Sequence, residues 1–403
     1  MLIHNAHLTY CTNIHSGESW QEHFLALKQN FPEIKLQVSP DAPMGIGLRL
    51  SHIASVELIK EENFILFQQW LKEQSLYVFT MNGFPYGGFH HTRVKDQVHA
   101  PDWTTNDRVD YTVRLFEILK KLLPAGMDGG ISTSPLSYRH WFAHSNEALI
   151  NARRSATANI LKVAEQLIHI KLITSKTMHL DIEPEPDGLI ETGSEFIDWF
   201  ENDLLPAGIT MITEKFGVEL AEAESMLKDH IRLCYDVCHF AIGYEPHVDI
   251  INQLSNKKIK VGKIQISAAL KSEMNSTIIE RREIYNAFSR FNESTYLHQV
   301  VARKSKGAFI RYPDLPEALM DIENPEVEEW RAHFHVPVFI KDFGVLFSTQ
   351  SDITEVLKLH NENHLCTHLE VETYTWEVLP DVLKLPLQDS IIRELEWVKN
   401  ELM

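Results

Sequence analysis

Four short segments of this chain alternate polar and apolar residues, and each ends in a polar residue just before a loop. They are residues 179–183, 232–236, 263–267 and 368–372. Strict alternation is typical of a β-strand with one apolar and one polar face. Long helical patterns separate the segments, which predicts a parallel sheet whose apolar side is covered by helices. The polar side chains then converge on an enclosed region instead of facing solvent.

Strand and helix patterns alternate along the whole chain and predict its fold. The predicted strands cover residues 8–14, 46–50, 76–81, 129–134, 178–183, 231–236, 261–267 and 367–372. The first predicted helix starts near Ser19, where Ser19 and Glu22 form a capping box. Further helices are predicted over residues 56–72, 108–123, 147–170 and 388–402. Eight such units predict a (β/α)8 TIM barrel that forms one domain over residues 1–403. An open doubly wound sheet is the alternative.

One connection is much longer than the others. Roughly a hundred residues separate the seventh and eighth predicted strands, whereas one βα unit needs about thirty. Residues 295–301 and 332–339 have strand patterns and are expected to pair as a hairpin. Insertions at the carboxyl ends of barrel strands lie over the active site. We therefore expect an insertion at about 271–345 that shapes or covers the pocket.

The overall composition limits the classes of function and the cellular location that we expect for this protein. The 38 Lys and Arg residues are outnumbered by 56 Asp and Glu residues, and a net charge of −18 would repel nucleic acid. The four cysteines form no C-x-x-C pair, so we expect buried reduced thiols. No secretory signal precedes the first strand, and no apolar run reaches the length of a membrane span. These features predict a cytoplasmic protein without an integral membrane segment.

Three carboxylates occupy equivalent positions at strand ends. Glu183, Asp236 and Glu372 end the fifth, sixth and eighth predicted strands, and Glu370 faces the same side one pleat earlier. Carboxylates that converge within a few ångströms repel one another unless they are protonated or bridged by a cation. One divalent metal ion, Mn, Zn, Co or Mg, satisfies this requirement. A structural network of ion pairs is the alternative.

Several other polar or aromatic residues fall at the predicted top of the barrel. Asn13 and His15 end the first strand, Asn82 ends the third, and His239 lies one turn beyond Asp236. These side chains and Trp376 can hydrogen-bond to or stack on a polyhydroxy or carbonyl ligand. The alternative is that they only shape the loops, because Asn favours turns and aromatic rings fill gaps.

The segments HLDIEPEP, CYDVCHF and HLEVETYTW resemble the xylose-isomerase-like TIM barrels, the sugar isomerase and epimerase superfamily. This resemblance implies one divalent metal ion bound by Glu183, Asp236, Glu372 and a histidine on strand seven, with His239 completing an Asp-x-x-His motif. Strand seven, KIQIS, departs from the pattern because it carries Gln265 where the histidine is expected. Either the amide oxygen of Gln265 binds the metal, or the insertion supplies a histidine. The candidates in the insertion are His298, His333 and His335.

Longer segments, YCTNIHSGESW, FTMNGFPYGGFH, HLDIEPEPDGLIETGSEF and HFHVPVF, resemble the metabolite traffic protein EboE family over nearly the whole chain. The resemblance implies the barrel fold and the metal site. It further implies a role in the export of a small metabolite and a functional link to a prenyltransferase-like membrane protein. It implies no particular reaction, because a fold can host many functions.

These observations favour a metal-dependent isomerase or epimerase that acts on a small hydroxy-carbonyl metabolite, such as a sugar or cyclitol. Glu183 and Glu372 are then the catalytic residues that remove and return a proton. The missing strand-seven histidine motivates an alternative, a non-catalytic metabolite-binding or carrier protein that keeps the metal site. A DNA-repair endonuclease with the same barrel is a third candidate, which the net charge disfavours.

Overall fold

The computed structural model describes residues 1–88, 95–274, 277–374, 376 and 386–403. Its strands are β1 Leu2–Ile3, β2 Ala6–Tyr10, β3 Met44–Arg49, β4 Leu76–Asn82, β5 Gly129–Thr133, β6 Met178–Ile182, β7 Ile231–Asp236, β8 Val261–Ile266, β9 Ala268–Glu273, β10 Val300–Lys304, β11 Phe309–Tyr312, β12 Val327–Val336, β13 Asp342–Phe343, β14 Leu346–Ser348 and β15 His368–Val371. Its helices are α1 Trp20–Val38, α2 His52–Leu58, α3 Glu61–Glu73, α4 Asn106–Leu122, α5 Asn146–Thr174, α6 Gly193–Trp199, α7 Leu205–Phe216, α8 Leu220–His230, α9 Val237–Ile242, α10 His247–Asn256, α11 Ile278–Ser289, α12 Leu315–Met320, α13 Gln350–Asn363 and α14 Leu387–Leu402.

The main sheet is a nearly closed parallel barrel. Its strand order is β1-β2-β15-β8-β7-β6-β5-β4-β3, and only the short β1 is antiparallel to its neighbour. The two ends of this order meet, because Cys11 forms a parallel bridge to Gly47 and the Thr9 hydroxyl donates to the Gly45 carbonyl at 2.8 Å. The predicted (β/α)8 TIM barrel is therefore confirmed, and the open sheet is excluded.

Two predicted elements differ in detail from the observed ones. The helix predicted over 56–72 is two helices, α2 and α3, because Lys60 is extended and the Asn63 side chain donates to the Glu57 carbonyl at 2.9 Å. That hydrogen bond adds to those that the Glu57 carbonyl accepts from the backbone at the end of α2. The first barrel strand ends at Tyr10, and Thr12–Ile14 forms a short 3-10 turn that carries Asn13.

The polar faces of the barrel strands point inward, as their alternation predicts. The side chains of Asp181, Lys263 and Glu370 are fully buried in the barrel interior. Two glycines, one on β8 and one on β3, provide the space for the carboxylates. A Cβ atom at Gly262 would overlap Oδ1 of Asp181, and one at Gly47 would overlap Oε1 of Glu370. Glycine is required at these positions by close approach and not by an unusual backbone conformation.

The long connection between β8 and β15 contains a second sheet. Its strand order is β11-β10-β12-β9-β14-β13, so it begins at Ala268, immediately after the barrel strand β8. The expected hairpin of 295–301 with 332–339 forms only in part. Strand β10 pairs antiparallel with β12, but β11 and α12 lie between these two strands along the chain. Residues 275–276 of the predicted insertion lie outside the described residues. The strand β12 therefore crosses the barrel top with ladder partners on both sides.

Among the residues that the structure describes, none of the helices combines the length and the apolar character that crossing a membrane requires. The thiols of Cys11, Cys234, Cys238 and Cys366 are all free, and only that of Cys366 is partly exposed.

The packing around Gly262 makes a testable prediction. Replacing Gly262 by Ala places a methyl group against the Asp181 carboxylate and should lower the free energy of unfolding by about 1–3 kcal/mol, the usual cost of overpacking. Gly243→Ala is the matched control, because a Cβ atom added there would lie 3.5 Å from its nearest neighbours. Urea unfolding followed by circular dichroism measures both. Equal midpoints for the two variants would contradict this packing.

Candidate metal centre

A small cavity of about 50 Å³ lies at the carboxyl ends of the barrel strands, below the inserted sheet. Most of the residues predicted from the sequence to form a site line it: Asn13, Asn82, Glu183, His239, His333, His335 and Glu372. Asp236 lies directly beneath, with its side chain fully buried. The barrel strands therefore bring together side chains from positions as far apart as 13 and 372.

The three predicted carboxylates converge at this cavity. One oxygen atom from each of Glu183, Asp236 and Glu372 lies within 4.8 Å of the other two, and none of the three residues is more than 5% exposed. Oε2 of Glu183 and Oδ2 of Asp236 have no hydrogen-bond partner among the described residues. Buried carboxylates that lack partners are costly unless a cation or a proton balances their charge. The arrangement therefore fits the requirement for a divalent metal ion.

The Asp236 side chain is oriented by the turn that follows its strand. Its Oδ1 accepts a hydrogen bond from the Ser267 hydroxyl at 2.6 Å and from the His239 amide at 3.2 Å. The second contact makes Asp236 the N-cap of α9. Because Oδ1 is used in these contacts, Oδ2 is left for the cavity.

The Glu372 carboxylate is held by three side-chain amides. Asn13 and Asn82 donate to Oε1 at 2.8 and 2.9 Å, and the Gln265 amide nitrogen donates to Oε2. The Gln265 oxygen accepts the Cys234 thiol hydrogen and is thereby turned away from the cavity. In this orientation Gln265 positions Glu372 and offers no oxygen ligand to a metal.

The carboxyl groups at the cavity have raised pKa values. Burial raises the pKa of Glu183 well above its usual range, and the charges of Glu372 and Asp236 raise it further. Burial also raises the pKa of Glu372 well above its usual range, with the Asp236 charge adding to the effect and the hydrogen bond from Gln265 opposing it. In the absence of a cation, burial and mutual repulsion therefore favour protonation within this cluster. Burial raises the pKa of neighbouring Glu185 to about 8, to which Asp236 and Asp187 contribute.

The inserted strand β12 brings the His335 imidazole to the carboxylates. His335 Nδ1 lies 2.9 Å from the Glu372 carbonyl oxygen, and Nε2 lies 4.0 Å from Oδ2 of Asp236. His239 has the same geometry, with Nδ1 2.9 Å from the Pro184 carbonyl oxygen and Nε2 4.0 Å from Asp236 Oδ2. Since a carbonyl oxygen can only accept, both rings carry the proton on Nδ1 and direct the Nε2 lone pair inward. Metal-binding histidines have this pattern.

Three of the predicted residues are buried elsewhere and do not line the cavity. His15 hydrogen-bonds to the Tyr10 hydroxyl at 2.9 Å, and Trp376 packs near the Phe339 ring. His298 hydrogen-bonds to the Glu293 carboxylate at 2.8 Å and stacks on an aromatic ring of β12. These contacts stabilise the barrel rim and the inserted sheet.

Other cavity residues were not predicted as site residues. Glu185 is buried to 8% exposure and faces the cavity, although its position two residues beyond the strand end suggests a solvated side chain. Pro184 and Pro186 restrict the backbone on either side of Glu185, and they are the sequence feature that could have indicated a fixed position for its side chain. His99, Tyr296 and Tyr374 also line the cavity. Tyr296 and Tyr374 lie in irregular segments, where the sequence has no periodic pattern to indicate which way a side chain points.

A fully buried ion pair lies below the carboxylates. Lys263 Nζ contacts Glu370 Oε2 at 2.6 Å, Ser132 Oγ at 3.1 Å and the Met81 carbonyl oxygen at 3.2 Å. Burial alone would lower the pKa of Lys263, but the Glu370 carboxylate raises it above its usual range. The ammonium group therefore stays charged and partly offsets the negative charge above it.

No protein-family model matches the sequence, and no curated protein matches it. The resemblance to the EboE family therefore stays a prediction. Among solved structures, the chain is similar to a D-tagatose 3-epimerase-like protein at 9% identity, with a TM-score of 0.49 and coverage of 98% of this chain and 97% of that chain. It is similar to the IOLI protein with a bound zinc atom at 12% identity, with a TM-score of 0.45 and 98% coverage of both chains.

A third similar structure is a xylose isomerase domain containing protein from Salmonella typhimurium LT2, at 9% identity, with a TM-score of 0.43 and coverage of 100% of this chain and 99% of that chain. At such identities and TM-scores, these likenesses carry no argument about function. The barrel fold follows from the strand order and register of this chain.

The buried ion pair makes a prediction about stability. Lys263→Met should lower the free energy of unfolding by about 3–5 kcal/mol, because Glu370 is left as an uncompensated buried charge. The double variant Lys263→Met/Glu370→Leu removes both charges and should recover a large part of the loss. Chemical denaturation of the two variants and the wild type measures this difference. A double variant less stable than Lys263→Met would contradict the pairing.

Proposed function

We propose that this protein is a metal-dependent isomerase or epimerase that acts on a small hydroxy-carbonyl metabolite, such as a sugar or cyclitol. The observation that carries the proposal is the convergence of Glu183, Asp236 and Glu372 in a buried cavity at the carboxyl ends of parallel barrel strands. Catalytic groups of (β/α)8 barrels lie at this end of the barrel.

The metal would be held by Glu183, Asp236 and Glu372, together with His335 from the insertion. Their oxygen and nitrogen donors suit Mn, Co or Zn, and Mg to a lesser degree. When bound, a divalent ion in this position supplies a Lewis acid that polarises the carbonyl and hydroxyl oxygens of the substrate. The Asp236 and Glu183 oxygens that have no hydrogen-bond partner in the described part of the chain support this assignment.

The two glutamates divide the proton transfer between them. Glu372 removes a proton from the carbon next to the carbonyl group, and Glu183 delivers a proton to the substrate. Each turnover therefore moves one proton from the substrate to Glu372 and one from Glu183 to the substrate, and proton exchange with solvent restores both carboxyl groups.

The walls of the cavity suit a small polar ligand. Asn13 lines the cavity, and its buried Oδ1 has no hydrogen-bond partner among the residues described, so it can accept from a substrate hydroxyl. Phe84 and Tyr374 provide aromatic surfaces beside the carboxylates. The net charge of −18 disfavours a nucleic-acid substrate, because the phosphate backbone would be repelled.

The cellular role that we propose follows the family resemblance. Similarity to the EboE family motifs supports a cytoplasmic protein that helps to supply a small metabolite for export. A prenyltransferase-like membrane protein is the expected functional partner. A carrier protein that binds the metabolite through the metal without converting it is the second candidate, and it is favoured by Gln265 at the position where the superfamily has a histidine.

Proton exchange tests the isomerase proposal even when the product is unidentified. Protein loaded with Mn or Zn is incubated in D₂O with a panel of aldoses, ketoses and inosose-type cyclitols, and NMR follows loss of the hydrogen next to the carbonyl. We expect exchange with at least one compound. Glu183→Gln and Glu372→Gln should each slow it by about 100-fold or more, the usual contribution of a general acid or base.

Glu201→Gln is the matched control, because its carboxylate is partly exposed and pairs with Lys257 outside the cavity. It should exchange at the wild-type rate. Full activity in Glu183→Gln or Glu372→Gln would contradict the proposed roles. Binding of a metal and of a panel compound without any exchange would overturn the isomerase and support the carrier.

A further inference from the structure

We infer that Glu185, His239 and His333 form a second divalent-cation site beside the centre made by Glu183, Asp236 and Glu372. One ligand atom from each of the three residues lies within 4.8 Å of the other two, and all three side chains are buried. This second site goes beyond the proposed reaction, and it uses a histidine and a glutamate that the first centre does not need.

Two imidazole nitrogens face each other at this site. His239 Nε2 lies 3.1 Å from His333 Nε2, and the rings are nearly perpendicular. A hydrogen bond at this distance needs a proton on one of the two nitrogens. His239 carries its proton on Nδ1, because that atom contacts the Pro184 carbonyl oxygen at 2.9 Å. The Nε2 atom of a neutral His239 is therefore a lone-pair donor.

The hydrogen bonds of Gln299 determine which ring nitrogen of His333 carries the proton. His333 Nδ1 lies 2.8 Å from Oε1 of Gln299. The Gln299 amide nitrogen donates to the Pro186 carbonyl oxygen at 3.2 Å. Rotating the amide group by 180° would exchange its oxygen and nitrogen atoms and lose this hydrogen bond. His333 must therefore donate from Nδ1, which leaves a second lone pair at Nε2. Two opposed lone pairs repel each other, and a cation bound between them removes the repulsion.

Glu185 supplies the negative charge that such a cation needs. Its Oε2 is buried and has no hydrogen-bond partner among the described residues. Within that part of the chain, the basic group nearest to Oε2 in an ion pair is His99, whose Nε2 lies 3.9 Å away. The flanking residues Pro184 and Pro186 restrict the backbone, so the carboxylate is held at the cavity. A buried carboxylate oxygen next to two imidazole lone pairs is a complete set of three ligands.

The strand β12 explains how one inserted element serves two cations. His333 and His335 are two residues apart on this strand, and both side chains line the cavity. His335 reaches Asp236 at the first centre, and His333 reaches His239 at the second. Two nitrogen ligands and one carboxylate favour zinc or a similar borderline ion over magnesium.

Zinc stoichiometry tests the second site. The wild-type protein is stripped with a chelator and titrated with ZnCl₂ alone, and bound zinc is measured by mass spectrometry after gel filtration. We expect two equivalents. Glu185→Gln and His333→Leu should each bind one, whereas the controls Glu201→Gln and His144→Leu, at exposed or partly exposed positions, should bind two. Circular dichroism verifies that each variant is folded.

Glu372→Gln separates this site from the proposed catalytic centre. It should lose one zinc ion and keep the one that Glu185 and His333 bind. One equivalent in the wild type that survives in Glu185→Gln and His333→Leu would overturn the second site and leave the first intact. One equivalent that is lost in those two variants but kept in Glu372→Gln would support the second site and overturn the first. No bound zinc would overturn both.

Discussion

Repulsion among three buried carboxylates is the interaction on which the rest of this structure depends. Glu183, Asp236 and Glu372 face one another in a cavity from which solvent is largely excluded, where charge–charge interactions are strong. The surrounding protein offers partial compensation. Amide groups hold Glu372 and a hydroxyl holds Asp236, while the charged Lys263 lies one layer below. None of these contacts reaches Oε2 of Glu183 or Oδ2 of Asp236, so a cation or a proton is needed to balance the remaining charge.

The barrel and its insertion each supply some of the side chains that form the site. The barrel strands bring the carboxylates to one end of the barrel, where local hydrogen bonds orient Asp236 and Glu372. The inserted sheet delivers imidazoles from above through β12, which pairs with β10 and β9. His335 on this strand lies near Asp236, and Gln265 on β8 donates to Glu372.

Much of the fold and the carboxylate cluster could be predicted from the sequence, because alternation with a period of two fixes which side chains point into a barrel. Residues on irregular segments could not be placed in the same way. Residues 295–299 have a strand-like composition, yet the strand starts at Val300, and His298 turns to Glu293. The contact between His239 and His333 joins positions 94 residues apart. It depends on how the inserted sheet packs on the barrel, which no local pattern records.

The most direct test of the central claim is to locate the cation itself. Crystals grown with ZnCl₂ can be measured on both sides of the zinc absorption edge, and the anomalous difference map then shows where zinc is bound. We expect a strong peak coordinated by Glu183, Asp236 and Glu372, with His335 as a nitrogen ligand. A map without a peak at these carboxylates, from crystals whose cavity is open to the zinc solution, would contradict the metal centre.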